Sequence, residues 1–160
     1  MADLIEQEEP SGTAELRRVM ELFGGNQVFA NPIETPLDVH EMLVHGLPVE
    51  AMCHLVENGV IRLDPSSFTN VLGMSQRTYQ RCKLSPTKPL SLEQSGRTWK
   101  FAEILAKATE VFGSQADAEE WLERPAMGLN QHRPIDLLAT PAGVELVEDF
   151  LVRIEGGVYT

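Results

Sequence analysis

Two cysteines in 160 residues, Cys53 and Cys82, are too few for a disulfide framework or a multi-cysteine zinc site. Both sit among apolar residues at helical spacing, which marks them as buried free thiols. No apolar run approaches the ~18 residues of a membrane-spanning helix. The opening MADLIEQEEPSG is acidic where a signal or transit peptide would be basic and apolar, so the expected compartment is the cytoplasm, with no membrane partner. Alternating apolar and polar runs are missing, as are internal repeats, which leaves strands and solenoids without support. Basic residues are scarce as well: 13 Lys and Arg against 24 Asp and Glu give a net charge of −11, unfavourable for a general polyanion binder.

The chemistry of an enzyme is also missing. There is no phosphate-cradling glycine loop, no G-x-S-x-G nucleophile turn and no metal-ligand spacing. His40 and His45 resemble a zinc-protease pair, but they are five residues apart, about 140° round a helix, where a shared metal needs neighbours on one face. Cys53 and His54 are adjacent and point about 100° apart, which rules out a hydrogen-bonded nucleophile pair. No catalytic residue, metal ligand or cofactor is expected, and the chain reads as a binding protein.

What is present is helical. An apolar content of 42% is ample for a buried core. Residues 1–12 are acidic and poor in apolar side chains, and are expected to be disordered. Thr13 to Phe23 reads as a helix stopped by Gly24-Gly25. Thr35-Pro36 with Asp38 forms a box-like start for a helix to about His45, and Pro48 opens another to about Asn58-Gly59.

Charge is segregated along the chain. Residues 1–61 carry two basic and eleven acidic residues, residues 62–100 seven and two, and residues 101–160 four and eleven. The one basic segment contains helix-turn-helix spacing at 64–84: Asp64-Pro65 starts a helix through Leu72, Gly73 turns the chain, and Ser75 caps a helix to about Leu84. With Tyr79 and Cys82 inward, Arg77 and Arg81 face outward beside Thr78 and Gln80. That set can fork onto guanine, meet an adenine edge and touch a thymine methyl, while Gln76 and Lys83 are better placed for phosphate. The alternative is a structural helical hairpin with solvated arginines. Two prolines in 85–89 place a boundary within Leu84 to Arg97, separating a helical domain at 13–90 from a second at 97–160. The second holds a helix over Arg97–Phe112, a short one capped by Ser114, and a loop over Arg124–Gln131.

The chain closes on RPIDLLATPAGVELVEDFLVRIEGGVYT. Thr140-Pro141 starts a helix and Gly156-Gly157 ends it. Val144, Leu146, Val147, Phe150, Leu151 and Ile154 fall within an arc of roughly 160°, wider than the stripe one neighbour needs. Val152 is stranded among charges. Three residues follow the glycines.

This run resembles the C-terminal toxin-binding domain of the Xre/MbcA/ParS antitoxin family, in which an R-P-hydrophobic-D-hydrophobic-L segment, a T-P helix start and a G-G/hydrophobic/aromatic tail recur in order. The likeness weakens towards Trp99. It implies an all-α protein with an N-terminal Xre-like helix-turn-helix domain and a small helical toxin-binding domain. By the resemblance the chain is the antitoxin of a type II toxin–antitoxin system that represses its own operon, with operator DNA, a second copy of itself and a RES-domain or related NAD-targeting toxin as partners. On that reading Arg133, Leu146, Phe150, Val152, Arg153 and Gly157 meet the toxin. Val158, Tyr159 and Thr160 extend into its active site, where the Tyr159 ring could take the place of a nicotinamide or adenine. The alternative is a stand-alone helix-turn-helix regulator whose C-terminal domain only dimerises or senses a ligand.

Overall fold

The computed structural model of the chain describes residues 11–58 and 64–157. Among them, six of nine α-helices begin at a Ser, Thr or Asp whose side chain accepts a first-turn backbone N–H, a local signal that makes five of these starts, all but the one at Ser91, legible without knowledge of the packing. The order is α1 (Ser11–Leu22), a 3-10 turn (Gly25–Gln27), α2 (Pro36–His45), α3 (Val49–Asn58), α4 (Pro65–Leu72), α5 (Gln76–Cys82), α6 (Leu92–Phe112), α7 (Gln115–Glu123), a 3-10 turn (Met127–Leu129), α8 (Pro134–Leu137) and α9 (Pro141–Glu155). No strand occurs among the described residues, only two isolated antiparallel bridges, Pro48 with Pro89 and Ala126 with His132.

The architecture is organised by α6. Its 21 residues span about 32 Å, and it is buried on more than one side through Trp99, Phe101, Ala102, Ile104, Leu105, Ala106 and Ala108. Alanines on this helix let its neighbours come close: α1, α2 and α4 pack on it from the N-terminal part of the chain, α7 and α9 from the C-terminal part. Trp99 stacks on Phe23, just past the end of α1, at 5.5 Å, and Trp121 of α7 stacks on Phe150 of α9 at 5.9 Å. Lys100 and Lys107 of α6 pair with Glu148 and Glu155 of α9 at 3.1 and 2.6 Å.

Several expectations are adjusted. The helix expected from Arg97 starts at Leu92, because Ser91 and Gln94 form a reciprocal capping box inside the stretch set aside as a boundary. The proline stretch before it is tied down: the carbonyls of Pro86 and Lys88 accept from Glu50 and Val49, the first-turn donors of α3, and Leu90 N–H donates to Leu47 O. Gly46 turns at φ +101°, and a Cβ there would sit 2.5 Å from the Leu90 carbonyl oxygen. The short α8 carries no side-chain cap and too little periodicity to be expected from the sequence. The tail expected at 1–12 lies mostly outside the described residues, but 11 and 12 already belong to α1. Both cysteines are free thiols, half-buried where full burial was expected.

Candidate nucleic-acid and partner interfaces

The α4–α5 pair is built as its residues dictate. Asp64 caps α4: Ser67 N–H donates to its Oδ1 at 2.7 Å and Ser66 Oγ at 3.0 Å, and these bonds hold the carboxyl below its ordinary 3.8. Gly73 takes the left-handed turn at φ +69°. Phe68 of α4 meets Tyr79 of α5 edge-on at 5.0 Å, and Val71, Leu72 and Met74 complete the seam. Ser75 caps α5 by accepting Thr78 N–H at 3.2 Å. Tyr79 Oη is fully buried, and the surroundings of the ring push its ionisation far above the ordinary range, chiefly by desolvation. Burial likewise raises the Cys53 thiol, so it stays protonated and is a poor nucleophile.

Of the seven residues expected at DNA, Ser75, Gln76, Arg77, Gln80, Arg81 and Lys83 are all exposed, and Thr78 is half-buried. Thr78 shares its hydroxyl with the cap, accepting from Ser75 Oγ at 3.0 Å, which makes it part of the helix start before it is a base contact. Lys83 leans back onto α3, 3.1 Å from Glu57 and 5.6 Å from the centre of the Tyr79 ring, and must leave Glu57 to reach a phosphate. Arg77 and Arg81 lie on one exposed face of a helix whose start is capped and whose opposite side is buried.

The partner surface expected at the C-terminal helix is revised in two places. Phe150 is 5% exposed and stacked on Trp121, because α7 folds back over that part of the apolar arc; it belongs to the core. Arg133 is also turned inward. Its Nε and Nη2 donate to Asp136 at 2.9 and 2.8 Å, and Nη2 reaches Ser67 Oγ at 3.5 Å and Asp64 Oδ2 at 3.7 Å. The bonds to Asp136 raise its already high pKa further. Leu146 and Val152 do stand in solvent, 55% and 59% exposed, as do Arg153 and Gly157. Gly157 is where the chain leaves the helix, at φ +67°. Val158, Tyr159 and Thr160 lie outside the described residues.

Two features escape a reading of the sequence. Met127, 80% exposed, projects from the 3-10 turn that packs against α9. Its only sequence signal is a methionine amid loop residues. Gly143 sits where α9 passes over α8, and a Cβ there would lie 1.9 Å from the Leu137 carbonyl oxygen. A glycine three residues past an N-cap carries that message without naming the neighbour. No group of three or more His, Cys, Asp or Glu among the described residues could hold a metal ion, and no described helix is long and apolar enough to cross a membrane.

Comparison with known proteins finds two family matches along the chain. Residues 38–103 match the antitoxin Xre-like helix-turn-helix domain, and residues 107–157 match the antitoxin Xre/MbcA/ParS C-terminal toxin-binding domain. Antitoxin Xre of Pseudomonas putida is 27% identical over 125 residues, covering 78% of this chain and 76% of its own length. Antitoxin Xre of Photorhabdus laumondii is 29% identical over 121 residues, covering 75% and 80%. The Prs ADP-ribosylating antitoxin of a Sphingobium species is 24% identical over 144 residues, covering 78% and 90%.

Proposed function

Because the chain belongs to the Xre/MbcA/ParS antitoxin family, and joins a helix-turn-helix domain to a toxin-binding domain, we propose that it neutralises a RES-domain or related NAD-targeting toxin and represses its own operon. The observation that carries this reading is the presence of two distinct exposed surfaces on one core: Arg77, Gln80 and Arg81 on capped α5, and Leu146 and Val152 on α9. Helix-turn-helix proteins read paired half-sites as dimers, so the protein acts on a palindromic operator as a homodimer. The acidic flanks of the basic segment suppress indiscriminate binding to phosphate. Its place of work is the cytoplasm, at the nucleoid when the operator is occupied.

The toxin docks on α9 around Leu146, Val152 and Arg153, with Met127 at the edge, and Val158, Tyr159 and Thr160 continue from Gly157 into the toxin's active site. One relative's name refers to ADP-ribosylation, a reaction that draws ADP-ribose from NAD, which supports an NAD-directed toxin here. No residue of the antitoxin takes part in chemistry.

Two separable lesions test the reading. Replacing Arg77 and Arg81 by alanine costs about 1–3 kcal/mol of specific operator affinity for each guanidinium removed from a base edge, and leaves neutralisation intact. Deleting Val158 to Thr160 leaves operator binding intact and restores the toxin's NAD-consuming activity in a purified assay. Wild-type operator affinity in the double variant removes α5 as the reading helix; undiminished inhibition by the truncated chain removes the tail.

A further inference from the structure

Two arginines outside the DNA-reading face hold its supporting helix by both ends. At the start of α4, Arg133 brings its guanidinium to the capping carboxylate of Asp64 and to Ser67 Oγ while gripping Asp136 with two short bonds. At the other end, the left-handed turn uses the Thr69 carbonyl for Gly73 N–H, and Arg97 Nη2 donates to the next carbonyl, Asn70 O, at 2.8 Å. The same nitrogen also donates to Ala139 O at 3.3 Å, between α8 and α9. The stem of Arg97 runs under the turn itself, since a Cβ on Gly73 would lie 3.0 Å from its Cδ. Neither arginine belongs to α4 or α5. Helix α4 is seated in the core by Phe68, Val71 and Leu72, whereas α5 has seven residues with Tyr79 alone buried, so the placement of α5 follows that of α4.

We infer that Arg97 and Arg133 are positioning residues for operator reading: they fix α4, and with it α5, against the toxin-binding domain without touching DNA. The inference rests on the DNA-reading role proposed above. It gives the R-P-I-D segment an intramolecular task, because Arg133 and Asp136 together clamp the cap of α4. At Arg133 the planar fork lays Nε and Nη2 on the two carboxylate oxygens of Asp136 while Nη2 also faces Ser67 and Asp64, a bidentate geometry that an ammonium does not reproduce. At Arg97 one nitrogen, Nη2, serves both carbonyls.

The test is operator binding by the full chain over a salt series, for Arg97→Ala, Arg133→Ala, Arg97→Lys, Arg133→Lys and each alanine variant combined with Arg77→Ala. Each alanine variant weakens binding roughly 3- to 30-fold, the range for residues acting through a packed neighbour. The slope of log affinity against log salt stays at the wild-type value. The loss shrinks when Arg77 is already alanine, because the placement of Arg77 cannot be lost twice. The lysine variants recover part of the affinity, and they carry the comparison if an alanine variant fails to fold. A slope reduced by about one per arginine marks a direct phosphate contact and overturns the inference. Full additivity with Arg77→Ala shows an effect on overall stability alone, and also overturns it. If the wild-type protein binds no operator specifically, the DNA-reading proposal fails, and the clamp is judged by amide hydrogen exchange. Faster exchange across α4 and α5 in Arg97→Ala, with α7 and α9 unchanged, upholds the clamp; unchanged protection of α4 and α5 refutes it.

Discussion

Gly143 has no room for a side chain, because the position its Cβ would take is occupied by the Leu137 backbone, which cannot swing aside as a side-chain tip can. Gly143→Ala is expected to lose about 2–3 kcal/mol of stability through overpacking where α9 crosses α8, measured by urea denaturation. The caps make a second residue-scale prediction. Asp38 accepts backbone N–H bonds from Glu34 and Thr35, Asp64 accepts from Ser67, and both carboxyls are held below their ordinary 3.8. The unfolded chain therefore binds these protons more tightly than the folded one. Their contribution is fully present above the ordinary value and is lost as pH falls below it through the folded values. A stability profile from pH 7 into this acid range should be flatter for the Asp38→Asn, Asp64→Asn protein than for the wild type, since asparagine keeps the cap and removes the proton.

Helix α9 shows how one element serves two neighbours. The sequence places six apolar side chains on one broad arc, and the fold divides that arc: Val147, Phe150 and Leu151 enter the core, while Leu146 remains in solvent with Val152 on the charged side. The division is not legible from periodicity, which reports an apolar direction and not what covers it. Phe150→Ala should cost about 3–5 kcal/mol of stability, as removing a buried aromatic does. Leu146→Asp and Val152→Asp should leave the melting temperature nearly unchanged and abolish toxin capture in a pull-down with purified toxin. Loss of stability in the aspartate variants would place those side chains in the fold and remove them from the interface.

At the scale of the molecule, α6 is common property. Trp99 on α6 reports the packing of α1, and Trp121 on α7 reports the packing of α9, and these are the only two tryptophans in the chain. Since both sets of helices pack on α6, and Arg97 and Arg133 bridge the helix-turn-helix to residues 133–139, the chain should unfold in one transition. Single-tryptophan variants, Trp99→Phe and Trp121→Phe, followed by fluorescence in urea, should each give the same midpoint from the fluorescence of the remaining ring as from circular dichroism of the same variant. A Trp121 signal that changes at a different denaturant concentration from the helix signal would mean that the C-terminal helices unfold independently.

The sequence alone determined the starts of α2, α4, α5, α7 and α9, the turn at Gly73, the outward face of Arg77 and Arg81 and the exposure of Val152. Each depends on interactions within about one turn of chain: a hydroxyl or carboxylate capping a nearby N–H, a proline at the first helical position, side chains recurring at helical spacing. Tertiary structure decided the rest. Arg97 finds its carbonyls 27 and 42 residues away, Arg133 finds Ser67 at 66, and Phe150 meets a tryptophan on another helix. Pro86 and Lys88, which read as a break in the chain, supply the acceptors that start α3. Local periodicity sets which way a side chain points, but the partner that meets it is fixed only when the chain closes on itself. For that reason Arg133 reads as a surface contact in the sequence and as a clamp in the fold.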